Sequence, residues 1–376
     1  MRIKDAVVID EKGSLLVLGQ AWTKTDSIDH PTRLAVISPD GEMKQRKAIG
    51  RDGRFKGERA KLDRIGYYYN DRLIRLLPFE NGNFLAIGFK TSGYYNRHLW
   101  IVEVDTNLQV LRDSVYMNLP ISDIGPYQVY PEKDGFRVVA RRYWPEDELA
   151  HYSNVIYTFD QALNCIHQEN DLSFSSNGEN FRMNWTYQIK RHNDKIYFCS
   201  HLSPIGEGIN EDRTKKIVGL VAHDLKSGKT ELIHRYDSVH IPTAIAVLKN
   251  GNYIVGQRLQ LPITDKNKQP TDLELTSYDQ NDSVLWSTVL NLGATEFVEL
   301  ITEHDGKIHV YGTAYNVLKR FFFEVILDEN GQQIAKYTTD EAYDRDFVAE
   351  IPFNAEFAFR LMNDSGWRVE KFKIKE

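Results

Sequence analysis

Two short motifs contain the residues whose chemistry is easiest to recognise, Cys165-Ile166-His167 and Cys199-Ser200-His201. Residues two apart share one face of a strand, and two cysteines with two histidines form a ligand set that zinc accepts. The cysteines lack the spacing of about two to four residues that is usual in zinc sites. The repeat of the chain also places the motifs on strands that are not natural neighbours. We therefore predict buried thiols and ordinary strand histidines, with no metal and no cofactor.

Acidic residues offer a second kind of site. Asp71, Glu296 and Asp346 each stand at the start of an apolar strand segment. A divalent cation needs several converging oxygen ligands, so a fold that gathers strand starts would create an ion site here; otherwise these residues are exposed strand ends. Both readings stay open. Pairs of carboxylates suited to glycoside hydrolysis arise by chance among 53 acidic residues and decide nothing.

Sequence motifs of common enzyme classes are missing. The chain has no Gly-x-Ser-x-Gly elbow, no Gly-x-Gly-x-x-Gly turn between a strand and a helix, and no phosphate-binding P-loop. A serine hydrolase or a nucleotide enzyme is therefore disfavoured, and we assign no catalytic residue.

The elements that would position any site recur along the chain. A polar turn followed by an apolar strand begins at intervals of about 50 to 70 residues, at positions 11, 80, 132, 192, 249, 303 and 354. About 20 residues after each of the first six, a strand ends in an aspartate and a hairpin turn follows. The aspartate can hydrogen-bond the backbone two residues on, and the next Gly or Asn tolerates positive φ. These aspartates are Asp40, Asp105, Asp160, Asp224, Asp279 and Asp328.

Together the two units give four antiparallel strands per repeat, which is one blade of a β-propeller. The spacing lies near the blade period of roughly 40–50 residues. We predict one all-β propeller domain with seven four-stranded blades, or six with a capping hairpin. The expected blades span residues 3–50, 71–118, 126–172, 186–237, 241–291, 296–339 and 346–376. The last repeat supplies only three clear strands, so it either stays three-stranded or is closed by the N-terminus.

Two of the turn segments, LKSGKTELI and NDSVLW, partly match the Thr-Gly-x-x-x-Trp element of quinoprotein blades. At the level of these turns the chain resembles bacterial β-propeller repeat proteins, including quinoprotein-like and kelch-like arrays. The Gly-His and Trp-Asp pairs of WD repeats and the Asp box of sialidase-like blades are missing. The resemblance implies the blade pattern alone, and no activity.

Loop lengths indicate which face binds. The hairpins at one end of the blades are short, whereas the loops between the second and third strands are long and differ from one another. Loops carry function when a rigid scaffold holds them, and Tyr, Trp and Arg dominate interface hot spots. We predict a binding face formed by Tyr67, Tyr68, Tyr94, Tyr95, Arg97, Tyr143, Trp144 and Trp185, with the basic residues Arg54, Lys56, Arg59 and Lys61.

Charge is distributed unevenly. The formal net charge is −6, yet residues 44–75 hold eleven Lys or Arg against four Asp or Glu, which is +7 and leaves −13 elsewhere. An acidic chain lacks the basic footprint that nucleic acids need, and a local basic segment can steer an acidic partner. No apolar run is long enough for a membrane helix. We expect a cytoplasmic protein, or an exported one if Met1 replaces a removed signal peptide.

Two functions follow from these observations. The first is a non-enzymatic protein-binding module, scaffold or assembly subunit, with inhibition of a partner protein as one form of it. The alternative is a hydrolase or lyase acting on a carbohydrate or lactone in the central funnel, with or without a divalent ion. No nucleic-acid or membrane partner is expected.

Overall fold

The computed structural model describes most of the chain. The described residues are 2–20, 32–49, 71–91, 97–122, 126–144, 151–205, 217–236, 240–260, 271–292, 295–315, 320–338, 346–352, 357–363 and 368–373. Contacts divide the chain into two compact units. The first comprises Met1–Tyr143, Asn154–Asn170 and Val348–Lys373, and the second comprises Trp144–Ser153, Asp171–Phe347 and Ile374–Glu376.

The first unit holds three four-stranded antiparallel sheets and a three-stranded one, and within each sheet the strands pair in chain order. The first two sheets are β1 (Arg2–Val8), β2 (Leu15–Gln20), β3 (Thr32–Ile37) and β4 (Met43–Ile49), then β5 (Arg72–Pro78), β6 (Phe84–Thr91), β7 (Arg97–Val104) and β8 (Val110–Ile121). The third is β9 (Pro126–Glu132), β10 (Gly135–Trp144), β11 (His151–Asp160) and β12 (Cys165–Glu169), and the three-stranded sheet is β26 (Asp346–Pro352), β27 (Phe357–Asn363) and β28 (Arg368–Lys373).

The second unit holds the remaining three blades. They are β14 (Glu179–His192), β15 (Lys195–Pro204), β16 (Ile217–Asp224) and β17 (Thr230–Tyr236); β18 (His240–Val247), β19 (Tyr253–Gln260), β20 (Thr271–Tyr278) and β21 (Val284–Leu290); and β22 (Thr295–His304), β23 (Lys307–Tyr315), β24 (Arg320–Leu327) and β25 (Gln333–Thr338). A short extra strand, β13 (Ser173–Ser176), pairs with the start of β14. One parallel bridge, Thr271 to Thr295, joins β20 to β22.

The fold is therefore an all-β propeller with six four-stranded antiparallel blades, which confirms the predicted fold class and the lower of the two predicted blade counts. The seventh repeat forms the three strands that the sequence indicated. Within the described ranges the helical structure is one 3-10 turn, Glu80–Gly82. No helix in that part of the chain is long and apolar enough to cross a membrane.

The predicted Asp-led turns hold the outer hairpins. Carboxylate oxygen Oδ1 of Asp105 accepts the backbone N–H groups of Asn107 and Gln109, at 2.9 and 2.7 Å. Asp279 and Asp328 make the same pair of bonds with the residues two and four positions further on. Asp160 and Asp224 make close variants of this pattern. In the first blade Ser38 takes the place of the aspartate, and Asp40 lies at the tip of the turn.

Neighbouring blades within each unit pack their apolar faces together. In the first unit, Leu16, Leu34 and Trp100 belong to one buried cluster formed by the first two blades. In the second unit, Ile254 and Phe323 belong to an equivalent cluster formed by the fifth and sixth blades. These side chains come from the alternating apolar positions of the second and third strands, where burial of each contributes about 1.5–3 kcal/mol.

The innermost strand of each of the six blades carries a β-bulge, an extra residue near its middle, and β14 carries a second extra residue at Asn184. In β1, Ile3 faces Gly19 and Asp5 faces Leu18, so Lys4 is the extra residue. The other extra residues are Ile74, Tyr127, Tyr187, Thr243 and Glu299. In five blades the residue before the bulge faces Gly, Ala or Ser on the second strand; in the fifth blade the glycine, Gly256, faces the residue after it.

In the second and sixth blades this second-strand residue must be glycine, because the bulge pushes the inner backbone against the second strand. A Cβ atom on Gly88 would lie 1.8 Å from the carbonyl oxygen of Arg72, and one on Gly312 would lie 2.0 Å from that of Phe297. A Cβ on Gly256 would meet only methyl groups of Val298 and Ile301, at 3.3 Å. Backbone atoms cannot move aside as side-chain ends can, so the bulge fixes the residue opposite it.

This contrast predicts that Gly312→Ala lowers the free energy of unfolding by about 3 kcal/mol, while Gly256→Ala costs less than about 1.5 kcal/mol. Both glycines lie in the second unit, so urea unfolding followed by tryptophan fluorescence compares them directly. Equal losses in the two variants would show that the backbone approach at Gly312 does not govern its identity.

The residue after the bulge in β1 joins two blades of the first unit. Carboxylate oxygen Oδ2 of Asp5 accepts the backbone N–H of Leu76 at 2.8 Å, and Oδ1 accepts that of Ala6 at 3.0 Å. Asp5 is half-buried as a residue, but its carboxylate is enclosed. Burial raises the pKa of Asp5 above its usual value of 3.8, although the charge of Arg75 and the two backbone N–H groups lower it in part.

A raised pKa means that the folded protein holds the proton of Asp5 to a higher pH than the unfolded chain does. The stability that Asp5 contributes is therefore lost as pH rises from about 4 through the raised pKa. Asp5→Asn keeps an oxygen acceptor and does not titrate. We expect the difference in free energy of unfolding, wild type minus Asp5→Asn, to fall between pH 4 and pH 7 in urea titrations. A difference that grows with pH would mean that Arg75 outweighs burial.

Candidate functional site

Four of the predicted binding residues lie in the described part of the chain. In the first unit, the Arg97 guanidinium lies 5.7 Å from the ring centroid of Phe89, and Tyr143 is half-buried. The indole N–H of Trp144 donates to Ser153 Oγ at 2.8 Å, and its ring stacks on His151. Trp185 in the second unit is 45% exposed. Outside the described residues lie Arg54, Lys56, Arg59, Lys61, Tyr67, Tyr68, Tyr94 and Tyr95.

Neither cysteine is poised for chemistry. Cys199 is fully buried, and burial raises the pKa of its thiol to about 12. Burial also raises the pKa of Cys165. Both thiols are therefore protonated at neutral pH, and a protonated thiol is a weak nucleophile.

The described residues contain no cluster of metal ligands. No group of three His, Cys, Asp or Glu residues that could hold an ion occurs among the described residues. Of the three acidic candidates, Glu296 is fully buried and accepts the backbone N–H of Leu292 at 2.9 Å, which makes it a turn-forming residue. Asp71 is half-buried, and the side chain of Asp346 lies outside the described residues.

The second unit places polar and aromatic side chains together at one end of its sheets. We call it the loop end: there the inner strands β14, β18 and β22 begin and the second strands β15, β19 and β23 end. The long loops predicted after Leu202 and Leu259 belong to this end. The directions of the strands place four residues near this end. They are Trp185 on β14, His201 on β15, Arg258 on β19 and Phe297 on β22. The bulge in β14 adds Tyr187.

Contacts link these residues. Trp185 on β14 faces His201 on β15 in register. The His201 ring lies 5.2 Å from that of Tyr187, and His201 Nε2 lies 2.5 Å from the Tyr187 hydroxyl, within hydrogen-bond distance. The guanidinium of Arg258 lies 5.2 Å from the ring centroid of Phe297. The positive charge of Arg258 also opposes the rise that burial causes in the pKa of Tyr187.

Electrostatics keep Tyr187 and Arg258 in defined protonation states. Burial raises the pKa of Tyr187, and the charge of Arg258 only partly opposes that shift, so the phenol stays protonated at neutral pH. Burial lowers the pKa of Arg258 from a value so high that the guanidinium remains charged. The group therefore offers one cation and one hydroxyl beside three aromatic rings.

Gln188, the residue after the bulge in β14, holds the three inner strands in place. Its Oε1 accepts the backbone N–H of Ile245 on β18 at 2.9 Å, and its Nε2 donates to the carbonyl oxygen of Glu299 on β22 at 3.0 Å. Glu299 is itself the extra residue of β22, and its carboxylate accepts the hydroxyl of Thr313 at 2.9 Å. One side chain thus connects the bulges of the fourth and sixth blades.

The sequence analysis found Trp185 but missed Tyr187, Arg258 and Phe297. A signal was present: the small residue that recurs on the second strands, as Gly88, Ser200 and Gly312, lies opposite the inner-strand bulge and so marks the residues beside it.

Comparison with known proteins gives the fold alone. No family model and no curated protein matches the chain. Cobalt-substituted apocarotenoid oxygenase of Synechocystis has a TM-score of 0.55 and 11% identity, covering 100% of this chain and 89% of that one. A structure from a study of two prolyl endopeptidases has a TM-score of 0.52 and 10% identity, covering 96% and 47%. At such identities the activities of these proteins say nothing about this chain, and neither the quinoprotein nor the kelch blade type is assigned.

The role of Gln188 predicts that Gln188→Leu lowers the free energy of unfolding by about 2–3 kcal/mol, because the backbone N–H of Ile245 and carbonyl of Glu299 lose their partner. Thr243→Val is the matched control: Thr243 is the extra residue of the intervening strand, and its hydroxyl reaches Gly256 O only at 3.4 Å. We expect it to cost less than about 1 kcal/mol. Urea unfolding measures both, and a cost at Gln188 no larger than at Thr243 would refute the connection.

Proposed function

We propose that the chain is a non-catalytic protein-binding module that contacts its partner through the loop end. The observation that carries the proposal is Trp185, a large aromatic residue 45% exposed on an inner strand. Trp, Tyr and Arg are the residue types that carry most binding energy in protein interfaces. Trp185, Tyr187 and Arg258 bring all three types to one end of one unit, on strands rather than on loops.

The basic segment at residues 44–75 supplies long-range attraction in this proposal. Its surplus of +7 contrasts with −13 over the remainder of the chain. Charges of this kind raise the rate of encounter with a partner of opposite sign and are screened by salt. The partner therefore presents an acidic surface, and binding to it weakens as ionic strength rises.

Affinity capture from a lysate of the source organism, followed by quantitative mass spectrometry, tests the proposal. We expect Trp185→Ala to reduce recovery of the specific partner about 30-fold, as hot-spot truncations do. Leu285→Ala is the matched control, because Leu285 is 50% exposed on the outer strand β21 of the same unit. Charge reversal of Arg51, Arg54, Lys56, Arg59, Lys61 and Arg64 should reduce recovery further at low salt. Equal recovery with wild type and Trp185→Ala would contradict the proposal.

One observation favours the alternative enzyme. The 2.5 Å contact between the Tyr187 hydroxyl and His201 is an arrangement that can pass a proton to or from a substrate. A hydrolase or lyase acting on a carbohydrate or lactone would lose at least about 100-fold in kcat in Tyr187→Phe. A panel of such substrates separates the two functions, since turnover that is abolished in Tyr187→Phe belongs to the enzyme alone.

A further inference from the structure

Arg258 is a half-buried cation at the loop end of the second unit. The residue is half-buried on β19, and its guanidinium lies against the ring of Phe297. Within the described part of the chain its Nε is buried without a hydrogen-bond partner, and no carboxylate forms an ion pair with it. Glu299 on the neighbouring β22 is occupied differently, since its carboxylate accepts the hydroxyl of Thr313.

Leaving such a charge without an anion is costly. Desolvation disfavours a charged group, and here burial lowers the pKa of Arg258. The contact with the ring of Phe297 offsets only a small part of this desolvation penalty, because a cation–π contact at a partly exposed site is weak. The planar guanidinium fork matches the two oxygens of a carboxylate, which would remove the cost.

Tyr187 supplies a second donor. Its hydroxyl is within hydrogen-bond distance of His201 and lies close enough to Arg258 for their charges to interact. The phenol is protonated at neutral pH, and when His201 Nε2–H donates to the phenol oxygen, the phenol hydrogen is available to an incoming oxygen. Phe297 lies against the guanidinium, and Trp185, two residues before Tyr187 on β14, adds apolar surface at the same end of the unit.

We propose that Arg258 and Tyr187 bind a carboxylate, presented by an acidic side chain of the protein partner. The identity of the presenting molecule rests on the proposed function; the affinity for the carboxylate itself does not. A carboxylate carries one negative charge, which one guanidinium neutralises. A phosphate carries about −1.5 to −2 and would leave uncompensated charge in a half-buried site.

Thermal unfolding of the full chain in sodium acetate, with sodium chloride at equal ionic strength as reference, tests the site without any partner. Bound ligand stabilises the folded state, so we expect the Tm of the wild type to rise with acetate by at least about 1 °C at tenfold excess over Kd. Arg258→Gln should weaken acetate binding at least tenfold, and Tyr187→Phe should weaken it severalfold. Arg235→Gln, an exposed arginine on β17 of the same unit, should bind as the wild type does.

The Tm without acetate separates a ligand-binding arginine from a structural one. Removing a half-buried cation that lacks an anionic partner should leave the Tm of Arg258→Gln unchanged or raised, whereas removing a structural cation lowers it. A lowered Tm in Arg258→Gln, or acetate binding equal to that of the wild type, would overturn the proposal. Phosphate that stabilises the protein where acetate does not would also overturn it, in favour of a phosphate site.

The two proposals fail in different ways. Acetate binding that depends on Arg258, with no partner recovered by affinity capture, would contradict the proposed function and support the carboxylate site. A partner whose recovery depends on Trp185, with no acetate binding by any variant, would sink the carboxylate site alone.

Discussion

The inner strand of each of the six blades bulges against the strand beside it, and in two blades the bulge brings the backbones close enough to exclude any side chain. The carbonyl oxygen of Arg72 would lie 1.8 Å from a Cβ at Gly88, and that of Phe297 would lie 2.0 Å from one at Gly312. The extra residue leaves the hydrogen-bonding ladder and its neighbours turn to new directions, as β-bulges generally cause. The inner strands therefore orient some side chains differently from a regular strand, in which each residue pairs with one on the neighbouring strand.

What the blades do with those side chains differs between the two units. In the first unit Asp5 follows the bulge and accepts the backbone N–H of Leu76, which ties two inner strands together. In the second unit Gln188 has the equivalent place and reaches two further strands, through Ile245 and Glu299. A neutral amide can both donate and accept without the desolvation cost of a buried carboxylate. That leaves the charge of Arg258 without an internal counterpart among the described residues.

Most of the fold could be predicted from the sequence because it depends on local chemistry. The carboxylates of Asp105, Asp279 and Asp328 accept the backbone N–H groups two and four residues ahead. The hairpins can therefore be predicted from the aspartate alone. The site could be predicted only in part. Trp185 was identified by its type, but Arg258 and Phe297 come from strands β19 and β22, about 70 and 110 residues away. Their meeting with Tyr187 depends on a bulge that shifts the strand by one residue, which alternating patterns do not reveal.

The central claim is that the bulged inner strands of the second unit build a site for a carboxylate at Arg258. A crystal structure of the protein soaked with 4-bromobenzoate tests it most directly, since the anomalous signal of bromine locates and orients the ligand. We expect the carboxylate within hydrogen-bond distance of the Arg258 guanidinium and the Tyr187 hydroxyl, with the ring beside Trp185 or Phe297. A ligand bound only to exposed lysines, with Arg258 unoccupied at saturating concentration, would contradict it.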